Sequence, residues 1–251
     1  MAEGQSRHSA RLRDTFAQLS SRRVNYRLSP GEEPSPATGW HLDSMSTTVG
    51  RETPGPPVTG AAWEIAVQLL RDYEFAEPGI LRGLFRRDSE LLGRDMLLEG
   101  RFYGLRFYMG VRVVALIDET PPDGLRGRRV WGWCYDTLQG HLEQGRLTYE
   151  VVKQLDTGDV EFVISGFSRR APIANPVIRL GFHLLGRWTQ ERFYRRSSQR
   201  MRALVQAGVD GAPLPVPIAS PDDPTLVIAP SDSTSKLVDR AAVKSHEPGA
   251  P

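Results

Sequence analysis

An α+β fold, one curved antiparallel sheet wrapped around a long C-terminal helix, is predicted by three features of this 251-residue chain. Segments between residues 107 and 167 alternate apolar and polar side chains at period two, as half-buried strands do. Tight-turn signals at Pro121-Pro122-Asp123-Gly124 and Asp156-Thr157-Gly158-Asp159 join them as antiparallel neighbours. A helical stretch of about 30 residues follows, opened by Pro176, and strands followed by helix argue for α+β.

The elements follow in order. Residues 8–23 place Leu12, Phe16 and Leu19 at helical spacing, and a loop rich in Pro, Gly and Glu runs from Ser29 to Thr38. A short strand is expected from His41 to Val49, and the three prolines of Gly50 to Val58 make a connector. Thr59 reads as a helix N-cap, with Trp63, Ala66, Val67 and Leu70 on one face of a helix over 60–75. Residues 76–95 fit short helices or a strand equally.

From Met96 the period is two. Phe107, Met109, Val111, Val113, Ala115 and Ile117 share one phase. Trp131, Trp133 and Tyr135 share a phase in the next strand, 129–137, which sends three aromatics to one face. Strands 146–155 and 160–167 pair across the Asp156–Asp159 turn. The last helix should run to about Gln206 with a stripe of Phe182, Leu185, Thr189, Phe193 and Leu204, interrupted by Arg196 and Arg200. The sheet and this helix bury each other's apolar faces and tend to enclose a cavity, which is the START-like helix-grip arrangement. A ferredoxin-like sandwich is its main competitor.

Glycine and proline together make about 17% of the chain against a usual share of about 12%. With the Pro, Ala, Ser and Asp of the C-terminal region, this predicts a disordered tail. The domain reading is therefore 1–39, N-terminal helix and connector; 40–207, START-like domain; 208–251, tail.

Composition excludes several classes. The net charge is +2, which gives no case for a dedicated nucleic-acid binder. The lone Cys134 allows no intrachain disulfide or iron–sulfur cluster and fits a reducing cytoplasm. The first residues lack an apolar signal-peptide core, and no apolar run reaches the ~20 residues of a membrane span. No G-x-G-x-x-G, Walker loop or G-x-S-x-G is present, and the five histidines lack metal-ligand spacing. No cofactor and no metal is expected.

The run Trp131 to Gly145 resembles the domain-of-unknown-function family numbered nineteen-ninety. The family's aromatic strand and Y-x-T-L-x-G-H-x-E-x-G motif match Tyr135, Thr137, Leu138, Gly140, His141, Glu143 and Gly145. Phe167-Ser168-Arg169, Phe193-Tyr194-Arg195-Arg196 and the segment Trp63 to Phe75 extend the likeness over about 10–206. Many members carry Gly at the position of Asp136 and Pro at those of Gln139 and Leu142. The resemblance implies a single START-like domain inside the cell, and it supplies no established activity, cofactor or catalytic residue to carry over.

Each candidate site residue has two readings. His141 and Glu143, two residues apart in a turn, could act as acid and base or hold a polar ligand group; the ordinary alternative is a turn tied down by hydrogen bonds to backbone. Trp131, Trp133 and Tyr135, extended by Tyr103, Phe107 and Tyr149, could line a ligand pocket or form core. Arg169 and Arg200 could bind a carboxylate in the cavity; Arg200, in the helix's apolar stripe, needs an acid, an anion or a route to solvent. The last helix carries seven arginines from Arg179 to Arg202 against Glu191 alone, read as spread around a solvated face. Three functions follow: a cytoplasmic binder of a small apolar or amphipathic molecule; a cofactor-free cyclase, isomerase or hydrolase using His141 and Glu143; or an interaction module presenting the tail.

Overall fold

The computed structural model describes residues 13–102, 105–122, 126–171, 176–221, 223–232 and 244–246, with side chains left aside at 101–106, 176–186 and 244–246. Its strands are β1 (His41–Arg51), β2 (Leu81–Arg86), β3 (Asp95–Phe102), β4 (Leu105–Glu119), β5 (Arg128–Thr137), β6 (Glu143–Gln154), β7 (Asp159–Arg170), β8 (Ile218–Ala219), β9 (Leu226–Ala229) and β10 (Lys244–His246). Two helices matter for the site, α1 (Ala62–Arg71) and α2 (Pro176–Val209). The sheet order is β1-β7-β6-β5-β4-β3-β2-β9-β8, antiparallel throughout, with β10 parallel to β4 off this path.

α1 and α2 pack on the inner face of this curved sheet, which is the helix-grip architecture the alternation predicts. Period-two geometry sends Trp131, Trp133 and Tyr135 of β5, Tyr149 and Val151 of β6, and Phe162 and Ile164 of β7 inward. α1 contributes Trp63, Ile65, Ala66, Leu69 and Leu70, and α2 contributes Phe193, Tyr194, Met201 and Val205. The buried stripe of α2 also takes in Ser197 and Ser198, small residues that let the helix sit close to the sheet.

The outer face has its own cover. Phe16 and Leu19 join Leu84, Leu97, Tyr108, Leu138 and Leu226 in a second apolar cluster. Residues 13–17 are helical, and Leu19–Ser21 is a 3-10 turn whose carbonyl at Leu19 accepts from Arg112 Nη2 at 2.8 Å. Leu12 lies outside the described residues.

Three local expectations differ from the structure. The N-cap of α1 is Ala61, not Thr59; the Glu52 carboxylate, from the end of β1, accepts the Trp63 N–H at 2.7 Å and the Val58 N–H at 3.0 Å. The ambiguous 76–95 resolves into β2, and the strand begun at Met96 is a hairpin of β3 and β4. The region after 208, expected to be disordered, returns to the sheet: Leu226–Ala229 pairs with β2, and Leu226, Val227 and Ala229 are buried. Four apolar residues suffice there because they complete an existing edge and need no core of their own.

Candidate functional site

The inner layer has two ends of different chemistry. The first is an aromatic block. Trp133 and Tyr149 have ring centroids 5.2 Å apart, Phe75 and Tyr149 4.7 Å, and Phe75 and Phe162 5.1 Å. Trp133 is 1% exposed, and its indole N–H donates to the Leu70 carbonyl at 3.2 Å, fixing the end of α1. Tyr73 follows α1 in the left-handed region at φ 62, the position a glycine usually takes. That turn drives its ring into the block, where the Tyr73 and Tyr149 hydroxyls are buried among one another and, within the described residues, make no hydrogen bond of good geometry. Burial pushes both phenols, and that of Tyr135, above the ordinary range.

The second end is charged. Asp43 on β1 meets Arg187 of α2, Nη1 to Oδ1 at 2.5 Å, and accepts from the Tyr194 hydroxyl at 3.3 Å. Glu143, at the start of β6, shares their surroundings. Burial first, and then the charge of Asp43, push its carboxyl up to about 7, with Arg187 and Arg170 opposing. The hydrogen bonds of Glu143 are made by its backbone: its N–H donates to His141 Nδ1 at 2.9 Å, and its carbonyl accepts from Asn25 at 2.8 Å.

His141 is thus tied to the turn. Its Nδ1 lies 2.9 Å from the Glu143 amide nitrogen and 3.1 Å from the Glu143 carbonyl oxygen, and burial brings its pKa down to about 4. The glycines of the motif serve the same turn. Gly140 has φ 87, and at Gly145, φ 154, a β-carbon would overlap the Phe167 carbonyl oxygen. Asp136 and Gln139, two of the positions at which this chain departs from the family pattern, anchor the N-terminal segment. Asp136 accepts from Tyr26 at 2.7 Å and pairs with Arg146, and the Gln139 carbonyl accepts from Arg22 at 2.9 Å.

The sequence candidates separate accordingly. Trp131, Trp133, Tyr135 and Tyr149 meet on the inner face, and Phe107 shares the inward phase of Met109 and Val111 while staying only partly buried. Tyr103 lies outside the described residues. Arg169 is on the other side of the sheet, its guanidinium 4.2 Å from the Trp40 ring and its Nε donating to Gln144, because its phase is that of outward Phe167. Arg200 finds its partners within the chain: Nε donates to the Glu74 carbonyl at 2.8 Å and Nη1 to Asp232 at 2.6 Å. Glu74, fully buried, also accepts from the Ser231 N–H and hydroxyl. Neither arginine joins the inner aromatic block. Cys134 is buried, its thiol pushed up by burial.

Asp43, Arg187 and Tyr194 were not singled out by sequence. An acid at an inward position of β1, in phase with Met45, was the available signal. Among the described residues no cluster of three or more metal-ligating side chains occurs, and no helix is long and apolar enough to cross a membrane.

The family model "Domain of unknown function (DUF1990)" matches residues 23–200. The chain belongs to this family. The match ends within α2, so β8 and β9 of this DUF1990 protein lie beyond it. No curated protein matches the chain. Solved structures similar to the DUF1990 protein include the Zhui aromatase/cyclase of a Streptomyces species, at 13% identity and TM-score 0.42, covering 69% of this chain and 100% of that one. Ara h 8.0201 is similar at 12% identity and TM-score 0.37, covering 67% and 99%. The major latex-like protein 151 of Panax ginseng is similar at 11% and 0.38, covering 65% and 96%.

Proposed function

We propose that this DUF1990 protein binds a small amphipathic molecule between sheet and α2. Its polar end would meet Glu143, Asp43, Arg187 and Tyr194, and its apolar part would lie along Tyr135 and the partly buried Phe107 and Met109. The observation carrying this reading is a charged cluster inside an otherwise aromatic layer, where the hydrogen bonds of Glu143 among the described residues come from its backbone. Ligand sites join apolar walls to a few convergent polar groups in this way. We further propose a cytoplasmic location, in keeping with one buried cysteine.

The test is native mass spectrometry of the protein purified from its own host, followed by denaturing extraction. A stoichiometric small molecule is expected. Glu143→Gln should lower its occupancy about tenfold or more, since a hydrogen bond to a charged group contributes roughly 1.5–3 kcal/mol. An apo mass from several preparations, or occupancy indifferent to Glu143→Gln, would sink the reading.

One observation favours a second reading, a cofactor-free cyclase, isomerase or hydrolase. A carboxyl at about 7 is poised for proton transfer near neutrality. On this reading Glu143 transfers the proton and His141 positions it. Turnover of the recovered molecule that survives Glu143→Gln would end it.

A further inference from the structure

The exposed side of α2 is a second surface, independent of the interior site. Arg187 and Arg200 turn inward to Asp43 and Glu74. Four other arginines, Arg192, Arg195, Arg196 and Arg202, are exposed. At 100° per residue they fall within about 120° of one another, one stripe and not a spread around the helix. Trp188 lies on the same arc, 46% exposed, with the Arg192 guanidinium 5.3 Å from its ring. The acid nearest the stripe, Glu191, is taken up by Arg187 at 3.1 Å.

We infer that the outer face of α2 docks on an anionic phospholipid bilayer, lying in its surface without crossing it. A net charge of +2 for the whole chain makes a local stripe of four cations a departure from the average surface. Arginines attract acidic headgroups, and an exposed tryptophan at the start of a basic stripe is suited to the headgroup–acyl boundary. Nucleic acid would satisfy the arginines alone; the exposed indole of Trp188 favours lipid.

The full chain would be sedimented with vesicles of phosphatidylcholine alone and of phosphatidylcholine with phosphatidylserine. The expected result is binding to the second only, weakening as salt rises. Arg192→Gln with Arg196→Gln should lower the affinity about 25-fold, at roughly fivefold per arginine. Trp40, Trp63, Trp131 and Trp133 are each 8% exposed or less, so quenching of tryptophan emission by brominated lipid reports on Trp188. Trp188→Ala should abolish that quenching. Failure to sediment with either vesicle, sedimentation without quenching, affinity unchanged in the double variant, or retention of duplex DNA in place of vesicles would each overturn the inference.

Discussion

The two ends of the inner layer are built by the same strands and spend their side chains differently. At the aromatic end, Trp133, Tyr149, Phe75 and Phe162 fill the space between sheet and helices, and the one indole N–H of Trp133 is used on backbone. At the charged end, Asp43, Glu143, Arg187 and Tyr194 meet where packing alone would place leucines. The first arrangement maximises buried apolar area. The second keeps charge in a partly dry place, a costly choice that stability does not explain. On the proposed reading, stability and function lie at opposite ends of one layer, and mutations at the two should separate.

Truncation at the aromatic end gives the largest effect. Trp133→Ala should cost about 3–5 kcal/mol, the range for large aromatics removed from a core, and it also removes the indole's hydrogen bond to the Leu70 carbonyl. Urea denaturation measures it; a loss below about 1 kcal/mol would mean the block is loose and part of a pocket. Glu52→Gln comes next. Lys153 is fully buried with its ammonium 2.5 Å from the Glu52 carboxylate, which also accepts the first N–H groups around α1. Leaving that ammonium unpaired should cost roughly 3 kcal/mol, and the additional change Lys153→Met should recover part of it. No recovery in the double variant would show that capping α1, not charge pairing, is what Glu52 supplies.

His141→Ala should cost less, about 1–2 kcal/mol, because it strands one buried backbone N–H. Replacement by Asn, which can still accept from the Glu143 N–H, should cost less than Ala. Equal losses in the two variants would remove the turn-anchoring role.

The fold was largely legible in the sequence because the apolar residues of β4 and β7 alternate at period two, and because Trp131, Trp133 and Tyr135 share a phase in β5 although Val130 to Thr137 are all buried. β2 was not, since four consecutive residues, Arg82 to Phe85, are buried and no alternation survives. β9 escaped because Leu226–Ala229 is a short apolar run in a Pro- and Asp-rich region, and its partner is 140-odd positions away in β2. The site was half legible. The motif marked Glu143 by its spacing, but Asp43, Arg187 and Tyr194 reach it from β1 and α2, and one sequence contains no record of that convergence. Arg200 shows the same limit: the sequence left an acid, an anion or a route to solvent open, and only the fold brings Glu74 and Asp232 to it.

The smallest effect, near pH 4.5, is the most discriminating. Glu143→Gln should change stability by under about 1 kcal/mol near pH 4.5, where the folded carboxyl is protonated, yet it should reshape the pH profile above it. In the folded chain His141 falls from 6.5 to about 4, so between those values the unfolded state holds the extra proton and stability rises with pH. Glu143 rises from 4.5 to about 7, so between those values the folded state holds the extra proton and stability falls with pH. From pH 4.5 to 6.5 the two slopes oppose and largely cancel in the wild type. With Gln at 143 only the His141 slope is left, and stability should climb by on the order of 1–3 kcal/mol across that window. The wild-type fall between pH 6.5 and 7 should vanish in the same variant. Subtracting the two profiles removes every other titrating group, so a difference that is flat from pH 4.5 to 7 would mean that Glu143 titrates as a surface carboxylate, and the charged end would lose its claim to be a site.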